Sequence, residues 1–216
     1  MRILPVNLNP FPKRTPRKQN LNFLGGYKDI RGEYEREMFE RRLDGLIRNL
    51  KDNRLHIPKR VIVKGKPANL TVCKNGTYIL QSEDDDIKAV MAIVSSTKPL
   101  VDCDSEYYSK NIGYMFIDVI YSKGNGAGSF LVKEAVKKSK EMGFDGRLTV
   151  FASNINQNAG NPIPFYEKMG FKAFNSSLQE IIERNLNKEK DAFGLNMMPT
   201  HANMYLDEKK IKDYLD

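Results

Sequence analysis

Glycines alternate with small residues where an apolar run gives way to a helical pattern. Asp118, Val119, Ile120, Tyr121, Ser122 and Lys123 lead into Gly124, Asn125, Gly126, Ala127, Gly128 and Ser129, then Phe130 and Leu131. A helix start exposes backbone N–H groups that lack an internal partner and carries the positive end of the helix dipole, so a diphosphate is stabilised there. Glycine lets the backbone approach such a group closely. Spacing decides which diphosphate. A Walker A loop needs four residues between its glycines and then Gly-Lys-Ser/Thr, but Gly128 is followed by Ser129 and Phe130. A dinucleotide fingerprint counted from Gly124 finds Ser129 at its third glycine, and counted from Gly126 finds Leu131.

With Lys123, Gly126 and Gly128 at its fixed positions, the stretch resembles the Q/R-x-x-G-x-G/A signature of the GNAT superfamily of N-acetyltransferases. Lys123 departs from the usual Gln or Arg, keeping the charge without the planar fork. About 40 residues on, Pro164, Phe165, Tyr166, Glu167, Lys168, Met169, Gly170 and Phe171 resemble the Y-E-K-x-G-F ending of the same family's second cofactor segment. Two such segments in order imply an acetyl-coenzyme A dependent acyltransferase that passes an acetyl group to a primary amine by direct attack in a ternary complex. The implied fold is mixed α/β, a sheet of about six or seven strands flanked by helices, with two parallel strands splayed at the cofactor cleft. The resemblance assigns cofactor contacts to Ile120, Tyr121, Lys123, Gly124, Asn125, Gly126, Ala127, Gly128, Ser129 and Tyr166. It also implies an Asn beyond the next strand: counting from the strand gives Asn154, the preferred candidate, and counting back from Tyr166 gives Asn158 or Asn161. Tyr166 stands at the position of the family's general acid, where its phenol would protonate the leaving thiolate. The plain alternative is an aromatic packed on the sheet. Asp118 is the best side-chain candidate for general base, beside water-mediated deprotonation or a merely polar strand-end role. No metal is implied.

These residues need elements to hold them. From Gly128, Leu131, Val132, Ala135, Val136, Ser139 and Met142 recur at helical steps, with charged residues on the other face and Gly143 at the end. Residues 112–121 and 147–152 read as strands on either side of that helix, and 87–95, 77–81, 69–73, 60–63 and 203–206 as further strands. Asn75-Gly76 predicts a hairpin turn. Residues 33–52 predict a helix with Tyr34, Met38, Leu43, Leu46, Ile47 and Leu50 on its apolar face. Ser177 and Glu180 read as a capping box before Leu178, Ile181, Ile182 and Leu186. Phe165, Phe171 and the Met197-Met198 pair read as core, and His201 as structural or as a wall of the substrate cleft. Asp102, Asp104 and Glu106 lie in a polar loop that is either solvated or draws in a cationic amine.

The 216 residues, 40% hydrophobic, predict one domain over 29–216, with a variable part at 29–74 and a better-matched core at 75–207. Residues 1–28, rich in Pro and Asn, predict a flexible tail. Residues 1–31 hold seven cations against Asp29, a net +6 of the chain's +8, so the folded part is close to neutral. Nucleic acid is therefore not expected as a partner. The competing class is a catalytically silent acyl-coenzyme A binder whose tail docks on RNA or an acidic partner. No run reaches the roughly 18 apolar residues of a membrane span, and Cys73 and Cys103 form no metal or redox spacing. A soluble cytoplasmic protein, monomeric or homodimeric, is expected; the acceptor is left open among peptide N-termini, lysines, small amines and amino acids.

Overall fold

One mixed sheet runs through the centre of the described residues, its middle strands Thr77–Gln81, Lys88–Ser96 and Leu148–Ser153 buried on both faces for most of their length. The computed structural model describes residues 33–51, 58–73, 76–100, 102–123, 126–153, 161–189 and 197–216. Its strands are β1 (Lys59–Val63), β2 (Lys66–Val72), β3 (Thr77–Gln81), β4 (Lys88–Ser96), β5 (Tyr114–Lys123), β6 (Leu148–Ser153), β7 (Phe171–Ala173) and β8 (His201–Leu206). They lie in the order β1-β2-β3-β4-β5-β6-β8-β7. Every neighbouring pair is antiparallel except β5 and β6. The sheet has eight strands among the described residues, against the expected six or seven, and the one not marked in the sequence is β7, three residues that pair with β8 at the sheet edge.

The helices are α1 (Glu33–Lys51), α2 (Glu106–Ser109), α3 (Ala127–Glu141), α4 (Ile163–Lys168), α5 (Ser176–Leu186) and α6 (Glu208–Leu215). On α3 the expected stripe of Leu131, Val132, Ala135, Val136 and Ser139 is buried against the sheet. Met142, assigned to that stripe, is instead the helix's C-terminal cap and largely exposed. The main core joins α3 to Leu80, Met91, Met115, Ile117, Leu148 and Val150 on one face of the sheet. A second, smaller core lies where Phe39, Leu43 and Ile47 of α1 meet Ile79, Val90 and Tyr121. Phe39, Leu43 and Ile47 are spaced by four residues and share one helical face. Tyr34, placed on that face by the sequence reading, is 69% exposed: five residues before Phe39, it projects about 140° away around the helix.

Three other expectations are corrected. The N-cap of α5 is Asn175, whose side chain accepts from Leu178 N at 3.1 Å, so the helix starts before Ser177 and the Ser177–Glu180 box does not form. Met197 is 73% exposed, while Met198 packs on the core. The segment around 106, read as a polar loop, carries α2, and the residues after 206, to which the sequence reading gave no element, carry α6.

Two features shape the centre of the sheet. β5 pairs with β6 only through Met115–Leu148, Phe116–Thr149 and Ile117–Val150, although both strands run on. The β4–β5 register then shifts: Ala92 faces Val119 and Ile93 faces Ile117, leaving Asp118 as the extra residue of a bulge. Met115 and Ile117 face the α3 side before the bulge, and Ile120 faces it after. The far ends of β5 and β6 are closed by Tyr108, whose hydroxyl lies 2.9 Å from Leu148 O and 3.1 Å from Leu206 O, and by the buried Arg147, whose guanidinium stacks 4.5 Å from the Tyr107 ring.

Candidate functional site

Beyond Ile117 and Val150 the parallel strands part, and the edge of β5 that faces β6 carries no ladder partner from β6. Such an edge presents backbone N–H groups to whatever enters the gap. At its end, Lys123 forms an ion pair with Glu40 of α1 at 2.7 Å. Ile120 and Tyr121 point their side chains into the two cores. Tyr121 packs against Phe39 with ring centres 5.7 Å apart, and burial raises its phenol above the ordinary value. From these two positions only backbone is left to face the gap.

The helix start follows. Gly126 caps α3 with φ +83°, a left-handed conformation that costs other residues about 1–2 kcal/mol. Gly128 is required by close approach: a Cβ there would lie 3.0 Å from Ser122 Oγ and 3.4 Å from the Phe165 ring. Phe130 N bonds to Gly126 O, so the N–H groups of the residues between stay available, and the first turn holds no acid. The β1–β2 turn reaches over this spot. A Cβ at Gly126 would lie 2.9 Å from Lys64 Cε, and Lys64 is ion-paired with no acid among the described residues. A cation placed at the positive end of a helix makes a focused positive potential that suits an anion. No sequence signal marked Lys64, because its turn is not one of the usual Asn-Gly or Asp-Gly pairs. Gly124, Asn125, Asn154 and Asn158 lie outside the described residues.

Asn161, the alternative candidate, is engaged locally: its Nδ2 donates to Pro199 O at 2.7 Å and its Oδ1 accepts from Ile163 N at 2.9 Å. Tyr166 of α4 is 1% exposed, wedged between Phe165 and Phe171 with ring centres 5.2 and 5.3 Å away. Burial pushes its phenol pKa far up. Phe171 is buried core, and Phe165 is partly buried against it. Asp118 is exposed on the bulge. His201 is exposed at the start of β8, its ring 5.8 Å from Phe151.

A cavity of ≈ 420 Å³ opens near the point where the strands part. Strand alternation places Tyr114, Phe116, Thr149 and Asn203 on the sheet face opposite the α3 core. Leu100 and Asp102 close it on one side, Phe174, Asn175 and Leu178 on another. Of the three loop acids, only Asp102 lines the cavity; Asp104 accepts from Ser176 N at 2.7 Å and Glu106 opens α2. The sequence reading missed Thr149, which looks like any β-branched strand residue until the register is known.

Residues 75–171 match the model of the Acetyltransferase (GNAT) family. That stretch runs from the β2–β3 connection to the first residue of β7, taking in the parted strands, the glycine turn, α3 and α4. Over those residues the chain is similar to GNAT-family acetyltransferases. No curated protein and no solved structure matches the chain significantly. The eight-stranded mixed sheet with its single parallel pair accords with a GNAT fold, and the assignment to acetyltransferases in general rests on the family match.

Proposed function

We propose that the protein is an acetyl-coenzyme A dependent N-acetyltransferase acting on a primary amine, its domain spanning residues 29–216. The observation that carries the reading is the juxtaposition, inside the GNAT-family stretch, of the parted β5 and β6 with a glycine-rich helix start. Both ends of an acyl-coenzyme A would be met: pyrophosphate at the N–H groups of Ala127, Gly128 and Ser129, with Lys64 beside them, and thioester at the unpaired edge of β5. Gly124, Asn125 and one of the asparagines Asn154 and Asn158 complete the expected contacts.

The co-substrate supplies an acetyl group activated by a thiol leaving group. Acetyl transfer forms one N–C bond and breaks one C–S bond; the amine releases a proton and the thiolate takes one up. Backbone N–H groups of β5 around the Asp118 bulge are suited to stabilise the carbonyl oxygen as it gains negative charge. Tyr166 holds its proton too firmly to give it up fully to a thiolate whose conjugate acid is near 8.5. Its role is therefore that of a hydrogen-bond donor to the departing sulfur, with water restoring the balance. Asp118, exposed on the bulge, is the candidate to take the amine's proton directly or through water.

The test is titration of the full chain with coenzyme A by calorimetry, paired with release of free thiol from acetyl-coenzyme A in the presence of amines. Coenzyme A binding with amine-dependent thiol release supports the reading. Failure to bind coenzyme A overturns it, and binding without thiol release for any amine leaves only the silent-binder alternative.

A further inference from the structure

Resting on the acetyltransferase reading, we propose that the cavity opposite α3 is the acceptor pocket for a small primary amine carried on an aromatic or aliphatic body without a carboxylate, and that the Thr149 hydroxyl orients its nitrogen. Three observations carry this. The first is size and lining: ≈ 420 Å³ falls within the range of small-molecule sites, and Tyr114, Phe116, Phe174 and Leu178 give it an apolar wall. The second is charge. Among the described residues of the lining, Asp102 is the one ionisable carboxylate and no Lys, Arg or His accompanies it. An ammonium is attracted there. A free amino acid would bring its own carboxylate beside Asp102 with no cation to receive it.

The third is an orphaned hydroxyl. Thr149 is 1% exposed, and its Oγ1 is buried with no hydrogen-bond partner among the described residues. A buried polar group left in that state is costly and marks an absent partner. Its place is informative: Thr149 pairs with Phe116, one step before Ile117–Val150, the last pair ahead of the gap. One strand step is roughly 3.3 Å, so a nitrogen held at Thr149 sits next to the parted strands where the thioester carbonyl is expected. The hydroxyl accepts from the acceptor's N–H, which leaves the nitrogen lone pair free to face the gap. The other polar wall residue next to α5, Asn175, already uses its Oδ1 to cap that helix.

The probes are phenethylamine and its carboxylate-bearing twin phenylalanine, on the wild-type chain and the variants Thr149→Val and Thr149→Ser. Phenethylamine is expected to exceed phenylalanine in kcat/KM by about tenfold or more. Thr149→Val should lower kcat/KM for phenethylamine roughly five- to tenfold, the worth of one hydrogen bond. It should leave coenzyme A affinity unchanged and Tm unchanged or higher, since an unpaired hydroxyl is removed. Thr149→Ser should retain most of the activity. Equal use of phenylalanine, or a lysine peptide acetylated where phenethylamine is not, overturns the acceptor class. Unchanged kcat/KM in Thr149→Val, or a fall matched by Thr149→Ser, overturns the role of the hydroxyl. Wild-type protein that binds no coenzyme A instead brings down the underlying acetyltransferase reading, whereas coenzyme A binding with neither amine acetylated brings down this proposal alone.

Discussion

Burial of the Tyr166 ring between two phenylalanines fixes its hydroxyl in place and keeps it protonated across the working pH range. A group so held acts through position rather than through titration. Tyr166→Phe keeps the ring packing and removes only the donor, so kcat should fall roughly ten- to a hundredfold, the worth of one hydrogen bond to a charged group, with coenzyme A affinity unchanged by calorimetry. Lys64 makes the complementary case. It stands over the cap of α3 on an exposed turn, so Lys64→Ala should leave the melting temperature unaltered while weakening coenzyme A binding about five- to tenfold. The loss should shrink as salt is raised, because an exposed charge is screened. Lys123, the residue at the motif's own charged position, should contribute less, since Glu40 already neutralises it.

Elements were legible where local pattern and tertiary burial agree. The period of α3 and the run Thr77, Tyr78, Ile79 and Leu80 of β3 state in sequence what the sheet then uses; Asn75 lies outside the described residues, but β2 and β3 pair antiparallel on either side of it and Cys73 N bonds to Thr77 O. The missed elements lack such agreement. α6 buries only Ile211 fully and reads as a run of Lys, Glu and Asp, although Asp207 caps it by accepting from Lys209 N at 2.9 Å. The β1–β2 turn puts Lys64 at φ +46°, which nothing in its chemistry advertises. The sequence reading capped α5 at Ser177, whereas the helix is capped two residues earlier, by Asn175 accepting from Leu178 N. Asn175→Ala should therefore cost about 1 kcal/mol in urea unfolding, and Ser177→Ala close to nothing. Of the site, the glycine turn and Tyr166 were readable because they follow a fixed spacing. Thr149, Phe116 and Asn203 were not, because they converge from three strands whose register no local motif encodes.

At the scale of the molecule, ligand and pH should each move stability in a defined direction. Coenzyme A at a hundredfold excess over its dissociation constant adds about 2.7 kcal/mol, which for a chain of this size raises Tm by roughly 5–10 °C; ATP and NAD should not do so. The pH response has two opposed parts. Hydrogen bonds from Ser82 and Gln81 hold Asp84 and Asp85 below the usual carboxylate range. Their contribution is therefore complete above that range and fades as the pH falls through the lowered values. Glu167 is displaced the other way, chiefly by burial. Its ionisation costs stability at neutral pH, and the cost disappears once the group is protonated in both folded and unfolded chains. Glu167→Gln, which can still accept from Gln179, should thus raise the urea midpoint at pH 7 and leave it unchanged below about pH 4.

The bulge at Asp118 works like a single inserted letter in a two-letter frame. Upstream, odd-numbered residues of β5 belong to the α3 layer; downstream, even-numbered ones do. Any side chain that tolerates the surface can stand at 118, because the position is outside both cores. Removing it is another matter. Loss of that one residue would turn Ile120 toward α1 and Tyr121 toward α3, exchanging the inhabitants of two cores and offering the glycine turn the wrong face of its own strand. The position is permissive to substitution and intolerant of deletion, and a library that varies both at 118 would separate the two constraints in a single selection for folded protein.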